Sequence, residues 1–106
     1  KSSDKIFIIT SIDRRMDLED IADARNMDMN ELLSAMEDIV EFGTRLNLDY
    51  YIDQNIDADV VDEIYEYFKD EAESGSLEDA IQALGGDYEE MEIRLVRLKF
   101  MSEVAN

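Results

Sequence analysis

The sequence predicts a mainly α-helical fold: a helix-turn-helix followed by a helical subdomain, with at most one short β-strand or small hairpin. Three features predict it. Apolar residues recur three and four apart through most of the chain, the spacing of one helix face. Several of these runs are preceded by Asp or Ser with another acid three residues on, the pattern of a helix N-terminus. The chain has no proline, so the punctuation between helices falls to Gly, Asn, Asp and Ser.

Residues 4–16 (DKIFIITSIDRRM) fit two readings. The β-branched and aromatic run Ile6–Thr10 suits a strand, whereas Ile8, Ile12 and Met16 recur every four residues; the second pattern is weighted here, giving a helix. Asp17 caps a short helix with Leu18, Ile21 and Ala22 on one face, and Asn26 ends it, since Asn tolerates a left-handed backbone. Asp28 and Glu31 form an acidic capping box for a longer helix with the stripe Leu32, Leu33, Met36, Ile39 and Val40, stopped by Gly43. Ala22 is small where these two helices must meet. Residues 46–52 (LNLDYYI) alternate with period two and read as a short strand.

The remainder is helical. Val61, Ile64, Tyr65, Phe68 and Ala72 mark a long amphipathic helix ending at Ser74-Gly75. Ser76 and Asp79 start another, with Leu77, Ala80, Ile81 and Leu84 inward and Gly85-Gly86 as its stop. Asp87 and Glu90 cap the last helix, whose two apolar stripes (Met91, Leu95, Leu98 and Ile93, Val96, Phe100) place it centrally, packed on both sides. The total is five or six helices in one domain over 1–106: a helix-turn-helix half at 5–45, a strand and linker at 46–56, and a three-helix half at 57–106.

Composition narrows function. Against 28 Asp plus Glu stand 10 Lys plus Arg, for a formal charge of −18. Leu, Ile, Val and Phe still number 29 of 106, enough apolar side chain for a folded core rather than an acidic disordered tail. With no Cys and no His, thiolate and imidazole metal sites and Ser–His or Cys–His nucleophiles are excluded. No apolar run reaches the ~20 residues of a membrane span. No signal peptide or disulfide framework is visible, which makes the cytoplasm the expected location. Residue 1 is Lys, so the chain is expected to be a piece of a longer one.

Three patterns carry potential chemistry. Residues 17–42 have the outline of a DNA-reading helix-turn-helix, yet they hold nine acids and one basic residue, Arg25. Asp28, Asn30 and Ser34 are the outward residues at the start of the second helix, so packing or protein docking suits this helix better than base readout. Asp53, Asn55 and Asp57 match the first ligands of a calcium loop. Ala58 replaces its glycine and Ile64 its bidentate glutamate, so a loop leading into an Asp-rich helix start is the better reading. Tyr50-Tyr51 and Tyr65/Tyr67 could stack on bases, but one buried and one surface member per pair is expected. The basic residues cluster: Arg14 with Arg15, Arg45 before the strand, and Arg94, Arg97 and Lys99 on the last helix. They form a candidate phosphate-binding set, with pairing of Arg94 to Glu90 as the competing structural reading.

The run from Asp17 to Leu33, the long acidic helix, and Ala83-Leu-Gly-Gly-Asp87 followed by Glu92-Ile-Arg-Leu-Val96 resemble the C-terminal helix-turn-helix domain of RecQ-family DNA helicases, over roughly residues 10–100. The resemblance implies a non-catalytic accessory domain of an ATP-dependent 3′–5′ helicase acting in recombination and repair. ATP and Mg would belong to the parent enzyme, with no cofactor in this piece. The implied partners are the helicase core of the same chain, repair proteins, and DNA through Arg14, Arg15, Arg45, Arg94, Arg97 and Lys99, with no membrane. The alternative set by the charge is an acidic protein-interaction or DNA-mimicking module that regulates access to a basic groove.

Overall fold

In the computed structural model, which describes residues 2–105, the segment that fitted two readings is a helix: α1 runs Ser2–Asp13 and buries Ile8 and Ile12, the i, i+4 pair. Arg15 closes the next turn at φ 62, and α2 (Leu18–Ala24) follows, burying Leu18, Ile21 and Ala22. Asp17 sits at the α2 N-cap in extended geometry, without a side-chain capping bond. Asn26 takes φ 55, as its short polar side chain allows.

The capping box at α3 (Met29–Glu41) is present as expected. Asp28 accepts from the Glu31 N–H at 2.7 Å, and Glu31 accepts from the Asp28 N–H at 2.9 Å. The helix buries all five residues of its expected stripe, and Gly43 ends it at φ 106.

The expected strand at 46–52 is absent; there is no strand among the described residues. Leu46 and Leu48 are buried with Asn47 exposed between them, so the alternation is real, but it covers only an irregular linker. No neighbouring strand supplies the ladder. The Leu46 N–H donates instead to the buried Ser102 Oγ at 3.1 Å. From Asp49 the chain is helical as α4 (Asp49–Asn55), which turns Tyr51 and Ile52 into the core. The stretch 53–57, expected as a loop leading into an Asp-rich helix start, is helical up to Asn55, and Asp57 serves as the N-cap of α5 (Ala58–Glu66).

α5 continues into a π-helical turn, Tyr67–Glu71, which buries Tyr67 and Phe68. Ser76 caps α6 (Leu77–Leu84), and Gly85 ends it where a Cβ would lie 2.5 Å from the Ile81 carbonyl oxygen. The last helix, α7 (Glu90–Phe100), starts two residues later than the Asp87–Glu90 pair suggested. Glu89 is its N-cap and the Glu92 side chain accepts from the Glu89 N–H. Acids three apart occur repeatedly here, and Asp87 and Tyr88 are held by the Leu84 carbonyl in the turn before the helix. A second π-helical turn, Met101–Ala105, is the last of the described elements.

α7 is central, as its double stripe predicted: every residue from Ile93 to Leu98 is buried, and the helix packs on α3, α4, α5 and α6. The radius of gyration, 13.2 Å, is that of a compact globule of this length. Tyr51 and Tyr67 are buried, while Tyr50 and Tyr65 cover the surface, as expected of each pair.

Candidate functional site

Burying all sides of α7 draws two arginines inside. Arg94 is 5 % exposed and Arg97 7 % exposed. A buried guanidinium needs a carboxylate and further acceptors. Residues 30, 34, 37 and 41 of α3 are spaced four, three and four apart, so they share a face, and that face meets α7. Arg94 Nε donates to Glu37 Oε2 at 2.9 Å and Nη2 to Glu37 Oε1 at 3.2 Å, a two-pronged pair. Its Nη1 donates to Asn30 Oδ1 at 2.6 Å and its Nη2 to Ser34 Oγ at 3.1 Å. Glu90, the partner that i, i+4 spacing suggested, is the more distant carboxylate at 3.6 Å and is mostly exposed. One turn on, Arg97 Nε donates to the Gly75 carbonyl at 2.6 Å, and its Nη2 lies 3.6 Å from Glu41.

Asn30 and Ser34, read as outward residues of the second helix, are engaged by Arg94. The helix face that reads bases in a DNA-binding helix-turn-helix begins here with amide and hydroxyl groups already bonded. Arg94 and Arg97 do not offer their charge to the surface in this fold.

The other basic residues lie elsewhere. Lys99 Nζ donates to Asp49 at 2.8 Å and Glu103 at 2.7 Å. Partial burial pushes its ammonium pKa down, but these two hydrogen bonds and charges outweigh that and raise it to about 12. Arg45 is exposed and shares a polar cleft of about 280 Å³ with Lys99. Arg14 and Arg15 are exposed in the α1–α2 turn, and neither forms an ion pair among the described residues. That turn is pinned from behind: the Tyr50 hydroxyl donates to the Met16 carbonyl. The structure thus brings Arg45 to Lys99, places Arg94 and Arg97 against α3, and keeps Arg14 and Arg15 on a separate turn.

Tyrosine–carboxylate bonds tie the elements together. Tyr51 donates to Glu19, joining α4 to α2, and burial, then this bond and its charge, raise the Tyr51 pKa. Burial, followed by the Asp17 charge, raises Tyr50 to about 12. Among the described residues, no group of three or more acids is arranged to hold a metal ion. Among the described residues, no helix is long and apolar enough to cross a membrane.

Glu37 is the residue that the sequence reading missed. Its partner is 57 positions away, beyond any local spacing rule. The available signal was Arg94 itself, an arginine between Ile93 and Leu95 on a helix apolar on both stripes.

Residues 2–52 match the family model described as RecQ-1-like, helix-turn-helix domain. The match spans α1 to the first turn of α4. It stops before Ala83–Asp87 and Glu92–Val96, the most distinctive stretch of the resemblance. No curated protein matches the chain by sequence.

Proposed function

We propose that this chain, which belongs over residues 2–52 to the RecQ-1-like helix-turn-helix domain family, is a non-catalytic accessory domain of a RecQ-like ATP-dependent 3′–5′ DNA helicase acting in recombination and repair. The observation that carries this reading is the family match, together with an all-helical fold in which α2 and α3 form the helix-turn-helix. The catalytic parts, ATP and Mg belong to the parent enzyme in this reading. The domain's own work is to dock on the helicase core.

The charge of −18 supports docking on a basic surface of that core. A DNA contact would run through Arg14, Arg15 and Arg45, whose side chains reach solvent. Arg94, Arg97 and Lys99 support the fold instead, because carboxylates already hold them.

The experiment is a calorimetric titration of this chain into the upstream part of its parent, at low and at moderate salt. Saturable binding that weakens as salt rises is expected. No heat at low salt would remove core docking. The same upstream part should hydrolyse ATP when single-stranded DNA is present; a parent without that activity would end the helicase reading. Arg14→Ala with Arg15→Ala should then lower the intact parent's affinity for forked DNA and reduce its salt dependence. An unchanged salt dependence would take the α1–α2 turn out of DNA contact.

A further inference from the structure

A cleft of about 510 Å³ opens between the π-helical turn Tyr67–Glu71 and α6, lined by Tyr67, Glu71, Glu73, Asp79, Gln82 and Ala83. The Ala72 N–H donates to the Tyr67 carbonyl, five residues back, and this wide turn ends the helix that began as α5. Asp79, on the other wall, is fixed in place. Its N–H donates to Ser76 Oγ at 3.1 Å, and its Oδ2 accepts from Ser74 Oγ at 2.7 Å.

Two observations mark the cleft. Its charge has no counter-ion: Glu71, Glu73 and Asp79 are exposed, and none forms an ion pair among the described residues. Residues 53–92 hold fifteen acids against one base, Lys69, and Lys69 lines a different concavity with Asp62, Glu63 and Glu66. The second observation is Tyr67 itself. Four of the five tyrosines donate a hydrogen bond: Tyr50, Tyr51, Tyr65 and Tyr88. Tyr67 is only 8 % exposed, yet its hydroxyl has no hydrogen-bond partner among the described residues. A buried phenol ordinarily finds one. No fully enclosed polar side-chain atom of the described residues lacks a partner, so the Tyr67 oxygen is the part of the residue that opens on the cleft. Burial, then the charges of Asp79, Glu71 and Glu73, push its pKa up, so all three carboxylates act on that one oxygen.

The chemistry of an occupant follows from these groups. The carboxylates, the Gln82 carbonyl and the phenol oxygen all accept, so the occupant must bring donors and positive charge. Among the described residues, no group of three acids is arranged to hold a metal ion. Nucleic acid meets the charge of the whole lobe and is repelled. A guanidinium has five donors in one plane and no acceptor, so it can bond carboxylates on two walls at once, whereas an ammonium acts as a point charge.

We infer that the cleft between the π-helical turn and α6 receives an arginine side chain of a partner protein, with Glu71, Glu73 and Asp79 as its counter-ions and the Tyr67 hydroxyl as a further acceptor. The inference rests on the cleft and not on the helicase reading: a parent without ATP hydrolysis would leave it standing.

The test uses the full chain and labelled Gly-Ser peptides carrying either arginines or the same number of lysines, read by fluorescence anisotropy. The arginine peptide should bind about tenfold more tightly than the lysine peptide. Glu71→Gln with Glu73→Gln should weaken the arginine peptide about tenfold. Asp20→Asn with Asp23→Asn removes the same charge from α2 and should change binding by no more than about twofold. Tyr67→Phe should melt as the original does and bind the arginine peptide about threefold more weakly. Equal binding of the two peptides would mean that charge alone is read, and would overturn the proposal. Equal weakening by the two double changes would do so as well, and so would an unchanged affinity in Tyr67→Phe. Self-association abolished by Arg14→Ala with Arg15→Ala would assign the cleft to a second copy of the chain and overturn it equally.

Discussion

Arg94→Ala tests the buried contact between α7 and α3. The change removes a guanidinium that bonds Glu37 twice, and also Asn30 and Ser34, from a site where Arg94 is 6 % and Glu37 14 % exposed in their side chains. Asn30 and Ser34 belong to exposed residues and regain water at little cost. Glu37 cannot do so fully, and it is left as an uncompensated charge against α7. Losing one partner of a buried pair costs about 3–5 kcal/mol. The residual exposure of Glu37 places this case at the low end, about 3 kcal/mol. For a domain near this size that is a fall in Tm of roughly 12–24 °C. Thermal and urea melts followed by circular dichroism measure it. A double change, Arg94→Met with Glu37→Met, should recover stability to within about 1 kcal/mol of the original, since a packed apolar pair replaces a desolvated ionic one. A loss below about 1 kcal/mol for Arg94→Ala would mean the pair behaves as a surface ion pair, and the reasoning would fail. It would fail too if the double change were as damaging as the two single changes added, because the loss would then come from packing of the arginine stem.

Three further outcomes are expected. Asp28→Ala, which removes the capping bond to the Glu31 N–H, should cost about 1 kcal/mol in a urea melt. Gly43→Ala, at φ 106, should cost about 1–2 kcal/mol although a Cβ there meets nothing within 4 Å, whereas Gly75→Ala, equally open and without a positive φ, should be close to neutral. Stability should fall as pH rises from about 10 to about 12. The folded-state pKa values of Tyr50 and Lys99 are raised to about 12 from 10.0 and 10.5, so the unfolded chain loses these protons first. Replacing Tyr50 with Phe should flatten that decline, and an unchanged slope would remove Tyr50 from the account.

Much of the fold was legible locally. The capping box at Asp28–Glu31, the left-handed Asn26 and the Gly43 stop are each decided within a few residues, and local rules are sufficient there. The stretch 46–52 was misread because period two is shared by a strand and by an irregular linker with alternate side chains buried. What separates them is the hydrogen-bond partner, and Ser102 lies 56 residues away. The Glu89 cap was missed for the opposite reason: too many acids three apart competed for one helix start. At the candidate site, the exposed Arg14, Arg15 and Arg45 were identifiable by residue type. The fate of Arg94 and Arg97 was not, since two arginines three apart look alike on a wet face and on a buried one. Only the packing of α7 on α3 distinguishes the two.

The position of α7 separates the matched segment from the architecture. The family model matches only residues 2–52, but α3 relies for the neutralisation of Glu37 on a side chain from residue 94. A graft of residues 2–52 alone into another protein would carry the matched segment without the counter-ion of Glu37, and without the helix on which α3, α4 and α5 all lean. Substitutions accumulating in α7 are therefore answerable to the helix-turn-helix, and the smallest inheritable module that keeps its shape extends through the last helix.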